Sequence, residues 1–184
     1  MGILYYTNYT TNQFIMQSNE WSIAALNALL LSIITIVVSL IQVVFEPGTI
    51  ISILLWLVKF VGCLGLLYYF VKEYSKQRES FTYKEGFSYG FKICLLSSVV
   101  LAAFNFLQYA VLFPESMQTA MEQVIMAMQS SNPDAADAME RYQSKLPQLV
   151  SVVTLFYYTI FGLIASAIIA NYTKKGDIFT NNSI

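Results

Sequence analysis

Residues 21–71 read WSIAALNALLLSIITIVVSLIQVVF-EPGT-IISILLWLVKFVGCLGLLYYFV, and this stretch decides the fold. A helix needs about 20 apolar residues to cross the hydrocarbon core of a bilayer. The run 21–45 contains no charged residue, and the run 50–71 contains only Lys59. Pro47 and Gly48 lie between the two runs and are typical of a tight turn. The stretch therefore predicts two membrane-spanning helices joined as an antiparallel hairpin.

Lys59 does not prevent the second helix from entering the membrane. A lysine at the centre of a span costs about 2.5–3.5 kcal/mol, whereas each Leu, Ile, Phe or Val contributes roughly 0.3–0.6 kcal/mol in favour of insertion. The run holds 14 such residues, which together contribute on the order of 4–8 kcal/mol. We therefore expect the segment to span the bilayer.

Two further runs have the same length and character. They cover residues 86–113, with Lys92 near the start, and residues 146–170, without any charge. The sequence thus predicts an all-α membrane protein with four spans at about 21–45, 50–71, 86–113 and 146–170. Residues 1–20 are expected to form a flexible or interfacial tail, without a cleavable signal, and residues 173–184 a cytoplasmic tail.

The overall composition agrees with this class and disfavours several others. Of 184 residues, 57% are hydrophobic and 11% are charged, whereas a soluble domain carries about 25% charged residues. The net charge of −1 offers no basic surface for nucleic acid. The chain has no histidine, and its two cysteines, Cys63 and Cys94, lie in apolar runs. We therefore expect neither a metal site nor a cofactor nor a conventional catalytic base.

The basic residues predict the orientation. Segment 72–85 and the C-terminal tail together carry six Lys or Arg residues, whereas the opposite side carries only Arg141 and Lys145. Basic residues are retained on the cytoplasmic side. We therefore expect both termini to be cytoplasmic, with Trp21, Tyr68 and Tyr69 at the inner headgroup level.

Residues 114–145 are expected to form an extracytoplasmic insert of two short helices before the last span. Pro114 opens the first, in which apolar residues recur at helical spacing from Met117 to Met128. Asn132, Pro133 and Asp134 are typical of a second helix start. The sequence leaves open whether this hairpin lies on the membrane or caps the bundle.

Small and polar residues indicate how the spans pack. Gly162, Ser166 and Ala170 recur every four residues, and Gly86 and Gly90 form a G-x-x-x-G pair. Such residues allow close approach of helix backbones, within one chain or between two. Cys94, Ser98, Asn105 and Gln108 share one side of the third span, and we expect that side to face inward.

Four polar side chains are candidate intramembrane contacts. Lys59 could bind an anion or a headgroup, or it could extend outward and pair with Glu46 or with polar groups of the third span. Asn105 and Gln108 could line a polar path in an oligomer, or form hydrogen bonds within one bundle. Lys92, at the cytoplasmic start of its span, is a candidate lipid-headgroup contact.

The run 83–92, YKEGFSYGFK, resembles a pattern in the bacterial family called domain of unknown function 4199. The likeness extends from about residue 21 to 172 and includes the four spans and the insert before the last. The resemblance implies a location in the bacterial inner membrane and a possible accessory role beside polyprenyl-phosphate glycosyltransferases. It assigns no catalytic residue.

Two functional hypotheses follow. The first is a non-catalytic accessory subunit that binds a membrane-protein partner, since no catalytic group is evident. The alternative is a small oligomeric transporter or channel for lipid-like or small polar molecules, using Lys59 and the polar side of the third span. Both hypotheses include membrane lipids as neighbours and allow a homo-oligomer.

Overall fold

The computed structural model describes residues 2–175 except 130, 131, 133, 135–138 and 140, and it describes side chains from Asn19 onward except that of Gln143. Within these residues the chain forms five α-helices: α1 (Gly2–Phe45), α2 (Thr49–Lys76), α3 (Tyr83–Leu107), α4 (Pro114–Gln129) and α5 (Leu146–Thr173). A π-helical segment, Gln108–Leu112, continues α3, and a 3-10 turn, Gln143–Lys145, precedes α5.

Four of the described helices are long and apolar enough to cross a membrane. The candidate spans are Asn19–Phe45, Thr49–Lys76, Tyr83–Leu112 and Leu146–Thr173, which agree with the four predicted spans to within a few residues. The prediction of an all-helical fold with four helices able to cross a membrane is confirmed for the described residues.

Each of the two predicted tails is described in part. Helix α1 begins at Gly2 and therefore continues through residues 2–18, which the sequence predicts as a flexible or interfacial tail. The position of these residues relative to the membrane stays a prediction. Most of the predicted cytoplasmic tail, 176–184, lies outside the described residues.

The turn between α1 and α2 has the predicted tight form. Glu46 adopts a left-handed backbone with φ of 41°. The Ser52 hydroxyl donates to the carbonyl of Pro47 at 3.0 Å, and its amide donates to the carbonyl of Gly48 at 3.0 Å. These bonds occupy the carbonyls of Pro47 and Gly48, whereas the first amides of α2 receive no side-chain cap from Gly48.

The four spans differ in how deeply they are packed. Helix α3 makes extended contacts with both α1 and α5 and is the central helix of the bundle. Helix α2 is peripheral, because only 6% of its most apolar stretch is buried, compared with 33% for α3. We call the end of the bundle with residues 72–85 the basic end, and the end with the α1–α2 turn and α4 the insert end.

Helices α3 and α5 cross closely through their small residues. Gly86 lies against Ala170, and Gly90 lies against Ser166. A Cβ atom on Gly162 would lie 2.3 Å from the Cβ of Cys94, so no side chain fits there without movement. The predicted small-residue packing is therefore used within the chain, between two antiparallel helices.

Hydrogen bonds connect the spans inside the apolar region. The Ser32 and Ser97 hydroxyls share a hydrogen bond of 2.8 Å between α1 and α3. The Ser98 and Thr159 hydroxyls share one of 2.9 Å between α3 and α5. These pairs satisfy polar groups that hydrocarbon cannot solvate.

At the basic end, the start of α3 is fixed by a capping box. Thr82 Oγ1 accepts a bond from the Glu85 amide at 3.3 Å, and the Thr82 amide donates to Glu85 Oε2 at 2.9 Å. The neighbouring Phe81 is fully buried, and its carbonyl accepts a bond from the Lys175 amide at 2.9 Å. The Lys175 ammonium also donates to the Ser75 carbonyl of α2 at 2.7 Å, so the ends of α2, α3 and α5 are held together.

At the insert end, α4 provides the first helix of the predicted insert. Met121, in the middle of its apolar stripe, is buried, whereas Val124 of the same stripe is 42% exposed. The second predicted helix, from Asn132 onward, falls largely outside the described residues and stays a prediction.

Candidate functional site

Lys59 lies in a groove between α2 and α5 and does not pair with Glu46. It is half-buried, on the same side of α2 as Ser52 and Leu55. Within the described residues Lys59 forms neither an ion pair nor a hydrogen bond. The groove contains a cavity of about 60 Å³. Besides Lys59, its lining includes Thr35, Trp56, Phe60, Cys63, Tyr157, Tyr158 and Phe161.

Glu46 lies elsewhere, at the mouth of a cleft beneath α4. The cleft has a volume of about 570 Å³ and is also lined by Gln42, Tyr109 and Glu115. The pairing of Lys59 with Glu46, one of the alternatives that the sequence left open, is therefore absent, because one side chain lines the α2–α5 groove and the other lines the cleft beneath α4. The two predicted candidates belong to separate sites.

Asn105 and Gln108 do not face a common path. Asn105 Nδ2 donates to Thr154 Oγ1 of α5 at 2.9 Å, whereas Gln108 Oε1 accepts a bond from Ser39 Oγ of α1 at 3.0 Å. Cys94 and Ser98, which were predicted to share the inward-facing side of the third span, also contact α5. The interpretation as hydrogen bonds within one bundle describes both residues.

Gln108 combines two unusual features. It is fully buried, and among the described residues its Nε2 is the only buried side-chain nitrogen or oxygen atom without a hydrogen-bond partner. It also begins the π-helical segment, where the Phe113 amide donates to the Gln108 carbonyl at 2.7 Å. Wider turns of this kind shift the direction of the helix that follows, and here they lead the chain from α3 into α4.

Lys92, the predicted headgroup contact, has a partner within the chain. Its Nζ lies 2.7 Å from Glu20 Oε1, and the two side chains are only 17% and 21% exposed. The same Nζ lies 5.1 Å from the centroid of the Trp21 ring. Lys92 thus connects the start of the α1 span to α3, and a headgroup contact stays a prediction.

A second charged pair lies beside it at the basic end. Arg78 Nη1 donates to Glu85 Oε1 at 2.6 Å, and Nη2 donates to the Tyr74 hydroxyl. The Tyr74 ring stacks on Tyr89, with centroids 3.8 Å apart. Asn27 Nδ2 in turn donates to the Tyr89 hydroxyl at 2.9 Å. The guanidinium is therefore held by a network that reaches into α1.

The two pairs border one cavity, which we call the interfacial cavity. Its volume is about 210 Å³. It is lined by Glu20, Tyr74, Arg78, Lys84, Ser88 and Lys92, together with the Glu85 of the capping box. Basic, acidic and hydroxyl groups from three helical segments thus converge at one end of the bundle.

The sequence reasoning missed most of this cluster. Thr82 and Glu85 match the capping-box pattern S/T-x-x-E, which would have identified the start of α3. The pair Glu20–Lys92 had a weaker signal, namely one acid and one base at the starts of two spans on the same side. Tyr74 and Tyr89 carried no signal, because their stacking depends on how the helices are rotated.

A second cleft of about 560 Å³ lies beneath α4, lined by residues that include Phe106, Tyr109, Gln118 and Arg141. No group of three His, Cys, Asp or Glu residues capable of holding a metal ion occurs in the part of the chain that the structure describes. Both cysteines are free.

The family model described as "Protein of unknown function (DUF4199)" matches residues 21–175, which cover the four spans and the connecting segments. No curated protein and no solved structure matches the chain.

Proposed function

The chain belongs to the DUF4199 family of proteins of unknown function, and from this premise we propose that it is a non-catalytic accessory subunit of a bacterial inner membrane. It binds a partner membrane protein through the groove between α2 and α5. The partner contributes a transmembrane helix that carries a carboxylate or another acceptor.

The position of Lys59, without an ion pair or a hydrogen bond among the described residues, is the observation that carries this proposal. Lys59 lies about 15 Å from the start of α2, at 1.5 Å of rise per residue, and therefore within the hydrocarbon region. Ionised side chains at such depth are paired or line a cavity, because hydrocarbon does not solvate them. Lys59 has no anionic partner among the described residues, so a partner helix with an acceptor would complete the pair.

The surface around Lys59 also supports a protein partner. Between residues 49 and 61 no side chain of α2 is buried, so this half of the helix packs only loosely on its own bundle. Trp56 and Tyr157 expose 49% and 59% of their surface beside the groove. Aromatic side chains provide large and rigid contact areas at interfaces.

The location and orientation belong to the same proposal. The excess of basic residues at the basic end favours that end as the cytoplasmic one, which puts both termini in the cytoplasm and α4 outside. A polyprenyl-phosphate glycosyltransferase is the first partner to test, on the basis of the family resemblance alone.

The transporter alternative has less support. Asn105 Nδ2 and Gln108 Oε1 are hydrogen-bonded within the bundle, and the cavity at the bundle centre, beside Cys94 and Gly162, has a volume of about 50 Å³. A transport path would therefore have to form between subunits.

Site-specific photocrosslinking in native membranes tests the proposal. A crosslinking amino acid at Trp56, in the groove, is expected to capture one membrane protein, which mass spectrometry then identifies. The matched control is Phe156 on α5, which is 61% exposed but outside the groove. Equal capture at both positions, or capture of lipid alone at Trp56, would overturn the proposal.

Lys59 supplies a second arm of the same experiment. Lys59→Met removes the charge and keeps an unbranched side chain, so the crosslink at Trp56 should fall about tenfold if a charge-assisted bond of about 1.5 kcal/mol is lost. Lys59→Arg preserves the charge and should retain most of the crosslink. If Lys59→Met crosslinks as well as the unchanged chain, the partner does not recognise Lys59.

A further inference from the structure

We propose that the interfacial cavity at the basic end binds a phosphoryl group, as carried by an anionic lipid headgroup or by a soluble phosphate ester. The cavity lies at the opposite end of α2 from the α2–α5 groove. Its ligand is therefore independent of the partner proposed above.

The charge of the lining favours an anion. Three cations, Arg78, Lys84 and Lys92, and two carboxylates, Glu20 and Glu85, line the cavity. The carboxylates are both engaged, Glu20 by Lys92 and Glu85 by Arg78. Lys84 forms no ion pair within the described residues, so the cluster has one surplus positive charge.

The hydrogen-bond donors of the cavity are held in place before any ligand arrives. Arg78 is fixed by Glu85 and by the Tyr74 hydroxyl, and its guanidinium carbon lies 4.7 Å from the centroid of the Tyr74 ring. Lys92 is fixed by Glu20. A donor that is already ordered loses little conformational entropy on binding. Arginine retains further N–H groups for a phosphoryl oxygen.

Two groups in the cavity are available to a ligand. The Ser88 hydroxyl and the Lys84 ammonium make no hydrogen bond or ion pair among the described residues, and both line the cavity. They lie one helical turn apart on α3, so their side chains project from the same side of the helix. A hydroxyl and an ammonium beside a fixed guanidinium form a donor set suited to phosphoryl oxygens.

The depth of the cavity matches the headgroup layer. Trp21 and Tyr83 are the sequence neighbours of two lining residues, Glu20 and Lys84. Their side chains are 41% and 45% exposed. Tyr172, at the end of α5, is 76% exposed. Trp and Tyr side chains are enriched at the membrane–water boundary, and basic pockets between helices at that level bind anionic headgroups.

The test is native mass spectrometry of the full chain released from nanodiscs that contain phosphatidylglycerol and phosphatidylcholine. We expect retention of phosphatidylglycerol in preference to phosphatidylcholine. Lys84→Gln should reduce the retained fraction about fivefold, the effect of one cation near a charged headgroup. The matched control is Lys174→Gln, an exposed lysine at the same end of the bundle and outside the cavity.

A second arm distinguishes the two sources of phosphate. Glycerol 3-phosphate and inorganic phosphate are titrated against the protein in uncharged detergent. If either compound competes with the lipid, and competes less well in Lys84→Gln, the site binds the phosphoryl group itself. If the lipid is retained without such competition, the site binds a headgroup only together with its acyl chains. Equal effects of Lys84→Gln and Lys174→Gln, or no retention of either kind of ligand, would overturn the inference.

Discussion

Gly162 shows how much one missing side chain contributes to this fold. It allows α5 to approach α3 until the Cys94 side chain occupies the place where a Cβ on residue 162 would stand. In lipid, such close contact replaces the hydrophobic drive that packs helices in water. The contact therefore stabilises the centre of the bundle, beside the hydrogen bonds of Ser98 and Ser166.

We predict that Gly162→Ala destabilises the protein by about 1–3 kcal/mol, the cost of overpacking a tight contact, measured by unfolding in mixed micelles. Gly65→Ala is the matched control, because no atom lies within 4 Å of a Cβ built there; it should be neutral or slightly stabilising, since Ala is the better helix former. In the double variant Cys94→Gly, Gly162→Ala the residue without a Cβ is on α3 instead of α5. This variant should recover part of the lost stability. Equal stability of the two single variants would contradict the close crossing.

Single residues also mark the boundary of what the sequence could predict. The small residues at 86, 90, 162, 166 and 170 were identified by spacing alone, because helical periodicity places them on one side. The pairs Glu20–Lys92 and Lys59–Glu46 depend on how each helix is rotated about its axis. That rotation is set by packing, so the first pair was missed, and the second, one of several alternatives for Lys59, does not form.

At the scale of the elements, the end of α3 is the least regular part of the described bundle. The π-helical segment begins at Gln108, whose side chain reaches Ser39 on α1. The side-chain nitrogen Nε2 of Gln108 remains unpaired in a fully buried position. An apolar run predicts a span from its length and composition, but it does not predict where an extra residue is inserted into the helical turn.

The Ser39–Gln108 bond gives a prediction of its own. Ser39→Ala removes the bond and leaves the whole buried amide of Gln108 without a partner, so it should cost about 1–3 kcal/mol in unfolding free energy. Gln108→Leu together with Ser39→Ala removes both polar groups, and this double variant should be at least as stable as the unchanged protein. The control for the loss of a serine hydroxyl from α1 is Ser32→Ala, which removes a different interhelical hydrogen bond. A double variant less stable than Ser39→Ala alone would show that Gln108 has another partner.

For the whole molecule, counting apolar residues was sufficient to place four spans, because the cost of exposing polar backbone to lipid leaves few alternatives to a helix. It was not sufficient to show that α2 is peripheral, since all the spans are similarly apolar. The difference arises from the small residues of α3 and α5, which draw those two helices together. The peripheral position of α2 in turn leaves the groove beside Lys59 open.

The orientation of the bundle is the prediction on which the ligand of the interfacial cavity depends, because it decides which leaflet that cavity faces. With Cys63 and Cys94 replaced by Ala, we expect Ser80→Cys, at the basic end, to react with a membrane-impermeant maleimide only after the cells are permeabilised. Thr119→Cys, exposed on α4, should react in intact cells. The physical reason is the retention of the six Lys and Arg residues of segment 72–85 and the C-terminal tail on the cytoplasmic side, against two on the other. The reverse labelling pattern would put the interfacial cavity outside the cell, where the cytoplasmic leaflet and its anionic lipids could not supply its ligand.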